Sequence, residues 1–356
     1  MSASMNPSLS SSAALTAQDS YFMSLAIEVA KQGLYTTRPN PAVGCVIVKN
    51  QQIVGQGFHP QAGQPHAEVF ALKEAGDNSI GACAYVTLEP CSHTGRTPPC
   101  AAALIKAQVA RVVVAGLDPN PSVSGRGVAM LEAAGIEVVV GVMKKQAEAL
   151  NPGFLQAMRT GLPFVRLKIA SSLDGRTAMA SGESKWITGP AARNDVQKIR
   201  ARSAAIITGS GTVIADNPSL NVRSNELGVD VKQIPQPKVV VIDRRSRLSH
   251  TADYEVCQRS DTLFWRQDDL RALLQSLVAE YQCFDVLVEA GAQLASSFLQ
   301  ARLVDELIVY QAPCLLGSTA RPMMQFELAS LTEQLRFQCV SHTLIGNDLK
   351  LVFTPL

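Results

Sequence analysis

Four residues near the start of the chain have the types and order needed for metal-assisted hydrolysis. His66 and Glu68 stand in Pro65-His66-Ala67-Glu68, and two thiols follow in Glu89-Pro90-Cys91-Ser92-His93-Thr94-Gly95-Arg96-Thr97-Pro98-Pro99-Cys100. One imidazole and two thiolates make three zinc ligands and leave a fourth position for water, whose pKa the metal lowers towards about 7. Glu68 is not needed as a ligand and is free to carry protons. A closed structural site would need a fourth protein ligand, for which His93 is the candidate, and would leave Glu68 without a purpose. A histidine buried beside two unrelated cysteines is the other alternative. The ligand types, their order and the prolines Pro65, Pro90, Pro98 and Pro99 weigh against it.

These residues sit in a chain of 356 residues, long enough that two domains are expected. With 47% hydrophobic and 17% charged residues and a formal charge of +2, nothing marks nucleic acid as the main partner. No apolar run reaches the roughly 18–20 residues of a membrane helix. The stretch 1–18 is rich in Ser and Ala without a basic start or an apolar core, and reads as a disordered tail rather than a signal peptide. Cys45, Cys83, Cys283 and Cys339 lie in or beside apolar runs and read as buried thiols, which fits a reducing cytoplasm.

The elements that must position the four residues follow from periodicity. A helix is expected over Tyr21–Lys31, strands over Val43–Val48 and Gln52–Gly57, a helix over His66–Ala75 and a strand over Cys83–Leu88. Pro99–Ala107 reads as a helix, Val112–Gly116 and Ile136–Val140 as strands, and Met130–Ala134 as part of a helix between them. His66 and Cys100 thus fall at helix starts, where partial positive charge favours a thiolate, and Cys91 follows a strand end. A helix over Ala147–Arg159 and the break Thr160-Gly161-Leu162-Pro163 place a domain boundary between 161 and 162.

Beyond it, strands are expected at Phe164–Ala170, Ala204–Thr208, Lys238–Asp243, Thr262–Trp265, Phe284–Glu289 and Leu303–Tyr310, with helices from Ala191 to Arg202 and from Ala290 to about Ala301. The pattern is again α/β. Gly209-Ser210-Gly211-Thr212 and Ala290-Gly291-Ala292-Gln293 are turns after strands, where backbone donors can cradle a pyrophosphate. Neither is a Rossmann fingerprint, and ordinary turn chemistry explains them equally well.

The order His-x-Glu then Pro-Cys…Cys is that of zinc deaminases, except that eight residues rather than two separate the thiols. Together with Asn40-Pro41-x-Val43-Gly44, the long cysteine loop resembles the deaminase domain of the bifunctional riboflavin-biosynthesis deaminase/reductase family, over roughly residues 20–150. The resemblance implies a cytidine-deaminase-like three-layer α/β domain over 19–161 that holds one zinc on His66, Cys91 and Cys100, with Glu68 moving protons. It implies that Asn40 and His59 line the pyrimidine site, and that His93 and Arg96 hold the ribose phosphate. A solvated loop arginine is the plain alternative for Arg96.

The second half carries the same resemblance. Lys168-Ile169-Ala170-Ser171-x-Leu173-Asp174-Gly175, Ser184-x-Trp186-Ile187-Thr188, Gly209-x-Gly211-Thr212-x-x-x-Asp216-Asn217-Pro218-x-Leu220-x-Val222-Arg223 and Val288-Glu289-Ala290-Gly291 are similar to the family's reductase domain, whose fold is that of dihydrofolate reductase. Ala290 stands where many members have a second glycine. The last thirty or so residues carry little signature. For 162–356 the resemblance implies NADPH contacts from Ala170, Trp186, Thr212, Asp216 and the turn Gly291, Ala292, Gln293, Leu294, Ala295, Ser296 and Ser297. Substrate contacts would come from Ser184, Arg200, Leu220, Arg223 and Glu289, with Arg200 and Arg223 clamping a phosphate. Lys168, Asp174 and Glu289 are the candidates for protonating the sugar ring oxygen.

The expected function is deamination of a diaminopyrimidinone ribosyl phosphate, then NADPH-dependent reduction of its ribosyl group to ribityl, in a cytoplasmic homo-oligomer. A nucleoside or RNA-base deaminase fused to an unrelated reductase is the alternative enzyme; the modest charge and 5% aromatic content disfavour an RNA substrate. A zinc-stabilised binding module with a regulatory nucleotide-binding half is the non-enzymatic alternative.

Overall fold

The structure, a computed structural model, describes residues 16–92, 98–120 and 124–356. The chain divides into two compact units, Met1–Asn151 and Pro152–Leu356.

In the first unit the elements are α1 (Ala17–Ala30), β1 (Gly44–Lys49), β2 (Gln52–Phe58), α2 (Ala67–Ala75), β3 (Cys83–Val86), α3 (Cys100–Lys106), β4 (Arg111–Val114), α4 (Arg126–Ala133), β5 (Glu137–Val140) and α5 (Lys144–Glu148). The sheet order is β2-β1-β3-β4-β5, antiparallel on either side of β1 and parallel from β3 to β5. Side-chain alternation sorts the strands into two cores. Val46, Val48, Tyr85, Val113 and Val139 join α1 on one face. Cys45, Ile47, Ala84, Val86, Val112 and Val114 meet Ala67, Ala71, Ala101, Leu104 and Leu131 on the other. Burial on both faces explains why these strands read as nearly continuous apolar runs.

Helix α2 lies almost on the backbone of β2, because glycines leave it room. A Cβ at Gly57 would fall 2.5 Å from the Ala67 carbonyl oxygen, and one at Gly55 would fall 2.2 Å from that of Ala71. That close seat brings His66, the N-cap of α2, and Glu68 in its first turn against the sheet.

The second unit comprises α6 (Pro152–Thr160), β6 (Phe164–Ser172), β7 (Arg176–Ala178), α7 (Pro190–Arg202), β8 (Ala205–Gly209), α8 (Ser210–Asp216), β9 (Lys238–Ile242), β10 (Leu263–Trp265), α9 (Leu270–Ala279), β11 (Asp285–Glu289), α10 (Ala292–Gln300), β12 (Glu306–Ala312), β13 (Arg321–Pro322), β14 (Phe337–Ile345) and β15 (Asp348–Pro355). Its eight-stranded sheet runs β10-β9-β8-β11-β6-β12-β15-β14, parallel from β10 to β12 and antiparallel at β15 and β14. Strands β7 and β13 form a separate two-stranded pair. Val165, Leu167 and Ile169 face a core shared with α9 and α10. Arg166 and Lys168 face the other way, in register with Leu287 and Glu289 of β11.

Four expectations need correction. The helix over Ala147–Arg159 is two helices, because Pro152 cannot continue one and the Asn151 side chain instead exchanges hydrogen bonds with the Ala42 backbone, at 2.7 and 2.8 Å. The unit boundary accordingly falls between 151 and 152, not between 161 and 162, since α6 packs on the second unit with Phe154 against Phe284 at 6.1 Å. The tail ends before residue 18: Thr16 caps α1 by accepting from the Asp19 amide at 3.1 Å, while residues 1–15 lie outside the described residues. Cys339 is exposed on the edge strand β14 instead of buried. The hairpin of β14 and β15 builds that edge from the stretch with least sequence signature. Among the described residues, no helix is long and apolar enough to cross a membrane.

Candidate active sites

The first unit brings the four residues of the opening motif together. The donor atoms of His66, Cys91 and Cys100 all lie within 4.8 Å of one another, with His66 Nδ1 3.2 Å from Cys100 Sγ and 3.7 Å from Cys91 Sγ. Cys100 begins α3 and its amide donates to Cys91 Sγ at 3.3 Å. The hydrogen bond between the two thiols holds Cys91 well below the ordinary thiol value and pushes Cys100 up, and a bound dication would favour the thiolate of both.

Glu68 is 3% exposed, and burial raises its carboxyl above the ordinary value. Among the described residues its Oε2 has no hydrogen-bond partner, which leaves that oxygen open to a ligand in the site. Two sulfurs, one imidazole and a buried carboxyl fit a zinc ion with water in its fourth position, and among the described residues no fourth ligand joins the cluster.

Beside the cluster, His59 Nδ1 lies 3.0 Å from the Pro65 carbonyl and Nε2 3.0 Å from Asn40 Nδ2. A carbonyl can only accept, so Nδ1 carries the hydrogen. Burial pulls the pKa of His59 down and keeps it neutral, so Nε2 accepts from Asn40. His59 is 2% exposed and its ring stands edge-on to His66 at 5.2 Å, so Asn40 is the member of the pair that offers a polar edge. His93 and Arg96 lie outside the described residues.

Sequence reasoning passed over Glu89, which is buried and accepts four backbone amides, Asp118 and Gly125 on Oε2 and Gly127 and Val128 on Oε1, at 2.9–3.2 Å. A Cβ at Gly127 would fall 2.0 Å from the Pro90 carbonyl oxygen. Glu89 therefore ties the end of β3 to the start of α4 and fixes the entry to Cys91. The signal for it was an acid between an apolar strand and Pro-Cys. Glu89→Gln replaces an acceptor with an NH2 group facing amide donors, and should weaken zinc binding about 10- to 100-fold as read by competition with a chelator dye.

In the second unit a cavity of about 910 Å³ opens at the C-terminal ends of β6, β8 and β11. Lys168, Ser184, Arg200, Leu220, Arg223 and Glu289 line it, as do Ala170, Trp186, Thr212, Asp216 and Gly291 to Leu294. A Cβ at Gly211, in the first turn of α8, would meet nothing within 4 Å, so the start of that helix leaves open space beside the wall. Arg200 reaches from α7 to fork onto Glu289, Nε to Oε1 at 2.6 Å and Nη2 to Oε2 at 2.9 Å, with both side chains almost buried. Burial alone would raise Glu289, but Arg200 holds it below the ordinary value, and burial lowers Lys168. Trp186 is 66% exposed with the Arg193 guanidinium 4.4 Å over its ring; Arg193, which also lines the cavity, was not foreseen.

Several of these side chains have partners within the fold. Arg200 and Arg223 both line the cavity, Arg200 engaged by Glu289 and Arg223 exposed and steadied by Asn221 Oδ1 at 2.9 Å. Asp174 does not line the cavity; its hydrogen bonds with Ser172, Leu316 and Gly317 hold its carboxyl down to about 2, an anion rather than a proton donor. Ala295 and Ser296 are buried in α10, with Ser296 Oγ accepting from the Gln325 amide, and Ser297 donates to the Gln293 carbonyl. Those three side chains are occupied within the expected helix, α10.

The first unit is a zinc-binding deaminase of the cytidine-deaminase type, and the second is a reductase domain whose cavity opens at the C-terminal ends of its parallel strands. Residues 16–116 match the cytidine and deoxycytidylate deaminase zinc-binding region, and residues 163–351 match the RibD C-terminal domain. The chain belongs to the RibD family of bifunctional deaminase/reductases of riboflavin biosynthesis. It is 50% identical to riboflavin biosynthesis protein RibD of Haemophilus influenzae, over 96% of this chain and 98% of that one, and 49% identical to RibD of Escherichia coli, over 93% and 98%. Among solved structures, Acinetobacter baumannii RibD superposes with a TM-score of 0.91 at 54% identity, covering 95% of this chain and 99% of that one. The diaminohydroxyphosphoribosylaminopyrimidine deaminase/5-amino-6-(5-phosphoribosylamino)uracil reductase of Thermotoga maritima does so at 0.86 and 33% identity, with 95% and 99% coverage.

Proposed function

We propose that the first unit replaces an amino group of a diaminopyrimidinone ribosyl phosphate by oxygen, and that the second reduces the ribosyl group of 5-amino-6-(5-phosphoribosylamino)uracil to ribityl with NADPH. The observation that carries the reading is Glu68, a buried carboxyl with a raised pKa and an unpartnered oxygen beside three zinc ligands. The substrates are those in the description of the Thermotoga maritima relative.

Zinc, held by His66, Cys91 and Cys100, would supply a Lewis acid that makes water acidic at neutral pH. Glu68 takes the proton from the attacking water and gives it to the departing ammonia. A raised pKa suits both transfers. Asn40, steadied by His59, presents its amide to the pyrimidine edge, and the stretch with His93 and Arg96 holds the phosphate.

For reduction, NADPH supplies a hydride. Lys168 protonates the ring oxygen as the ribosylamine opens, because burial pulls its pKa towards the working range while Arg200 keeps Glu289 ionised. Glu289, an anion, accepts sugar hydroxyls. Arg223 anchors the phosphate and Trp186 covers the nicotinamide.

The test incubates the purified protein with the diaminopyrimidinone phosphate, with and without NADPH, and identifies products by mass. Without NADPH the deaminated compound should accumulate; with it, the same compound should gain two hydrogens. A product unchanged by NADPH would remove the second half of the proposal. Arg223→Ala should raise KM for the reductase substrate about 10- to 100-fold and leave deamination untouched. Equal loss of both activities counts against the phosphate role.

A further inference from the structure

The stretch that carries Asn40 is held by a side chain from the far end of the first unit. The ladder of β1 runs one residue beyond Gly44, since the Val43 carbonyl accepts the His59 amide at 3.0 Å. Gly44 is tied to Thr87, whose Oγ1 accepts the Gly44 amide and whose own amide donates to the Gly44 carbonyl, both at 3.1 Å. Ala42 is the first residue outside this ladder. It is 2% exposed, so its backbone groups need partners within the protein. Asn151 supplies both: its Oδ1 accepts the Ala42 amide at 2.7 Å and its Nδ2 donates to the Ala42 carbonyl at 2.8 Å. A backbone amide can only donate and a carbonyl can only accept, which fixes the orientation of the carboxamide.

The two sides of this contact differ in what holds them. Asn151 is anchored by its own neighbours, because Ala147 and Leu150 are buried in the core with α1 and its amide donates to the Glu148 carbonyl at 3.0 Å. Pro152, directly after it, restrains its backbone further. The stretch from Asn40 to Ala42 is short and stiff. Pro41 has a locked φ, no N–H to give, and narrows the torsions of Asn40 before it. A displacement of Ala42 is therefore passed on to Asn40, whose amide donates to the Thr37 carbonyl and whose Nδ2 reaches His59 Nε2, each at 3.0 Å. Without the Asn151 carboxamide, Ala42 keeps a buried donor and a buried acceptor with no partner, and the segment must shift to find new ones.

We propose that Asn151 is a positioning residue of the deaminase: by holding both backbone groups of Ala42 it sets the place of the Asn40 amide at the pyrimidine site. Asn151 itself touches no reacting atom and acts through Asn40. The proposal rests on the reading that Asn40 meets the pyrimidine edge.

The test is steady-state deamination by the full chain loaded with zinc, comparing wild type with Asn151→Ala, Asn40→Ala and the double variant. Asn151→Ala should raise KM for the diaminopyrimidinone phosphate about 10- to 100-fold, the range for a lost hydrogen bond that leaves a buried group unpaired, with kcat nearly unchanged. Zinc content and reduction of already deaminated substrate should match wild type, which reports that both units are folded. The double variant separates positioning from general support. If Asn151 acts through Asn40, its loss adds little once the Asn40 amide is gone, whereas independent effects multiply. Asn151→Asp keeps the shape and the acceptor for the Ala42 amide but sets an oxygen against the Ala42 carbonyl. It should raise KM in the same way, and it takes the place of Asn151→Ala in the cycle where that variant does not fold. Fully independent effects, a fall in kcat with KM unchanged, or loss of zinc overturns the positioning role and leaves the Asn40 reading standing where Asn40→Ala raises KM. An unchanged KM in Asn40→Ala overturns both.

Discussion

Glu68→Gln is expected to abolish ammonia release while zinc stays bound at one per chain. Proton transfer by a positioned carboxyl contributes about 10²–10⁴-fold, and here one group serves both the attacking water and the leaving nitrogen, so a loss at or beyond the upper figure is expected. The substitution is a clean probe because the amide has the carboxyl's shape and cannot carry the proton. It removes a buried acid whose Oε2 has no partner, so folding should be unchanged or slightly improved. Ammonia release, metal content by mass spectrometry and thermal stability read out the three effects separately. Reduction of already deaminated substrate should continue at the wild-type rate. Zinc lost together with the fold would instead favour a structural metal site in which Glu68 is part of the support.

What the sequence made legible, and what it did not, follows from how local each feature is. His66, Glu68, Cys91 and Cys100 could be read directly because the chemistry restricts residue types and the prolines around them restrict the backbone. The alternating helices and strands are legible because burial on both sheet faces leaves dense apolar runs, as at 45–48 and 112–114. Partnerships across the fold left no trace in spacing. Nothing local says that Arg200 closes on Glu289, 89 positions on, nor that Asp174 turns away to cap the amides of Leu316 and Gly317. The break at Asn151-Pro152 was misplaced because a helical pattern runs across it. Proline and the Asn151–Ala42 hydrogen bonds outweigh that pattern. Strand β14 leaves little trace because an exposed edge strand needs little apolar alternation.

The Arg200–Glu289 pair carries the largest expected effect on stability. Arg200 and Glu289 are 10% and 11% exposed, and Lys168 is the next cation to Glu289. Arg200→Met fills the space of the guanidinium with an apolar chain but leaves a buried carboxylate without its fork of donors. Removing one partner of a buried pair costs about 3–5 kcal/mol. For a unit of this size each kcal/mol lowers Tm by roughly 2–4 °C, so the full chain should lose about 6–20 °C from the transition of its second unit. The pH dependence separates this account from a simple packing defect. In wild type, Arg200 holds the Glu289 carboxyl below its ordinary value, so this ion pair stabilises the fold above that value and is lost as pH falls through the lowered one. In Arg200→Met burial, the largest influence, is opposed only by the more distant Lys168 and Arg223, and the Glu289 carboxyl is expected to rise above its ordinary value. Protonation then relieves the orphaned charge, so the gap between variant and wild type should narrow as pH drops from 7 towards 4.5. Adding Glu289→Gln to Arg200→Met should recover part of the loss at pH 7, because a neutral amide needs no counter-charge. A gap independent of pH, or no recovery in the double variant, would show that Arg200 acts through packing alone. Reductase activity should stay low in both variants even where stability returns, since one leaves Glu289 without the guanidinium that positions it and the other removes the carboxylate.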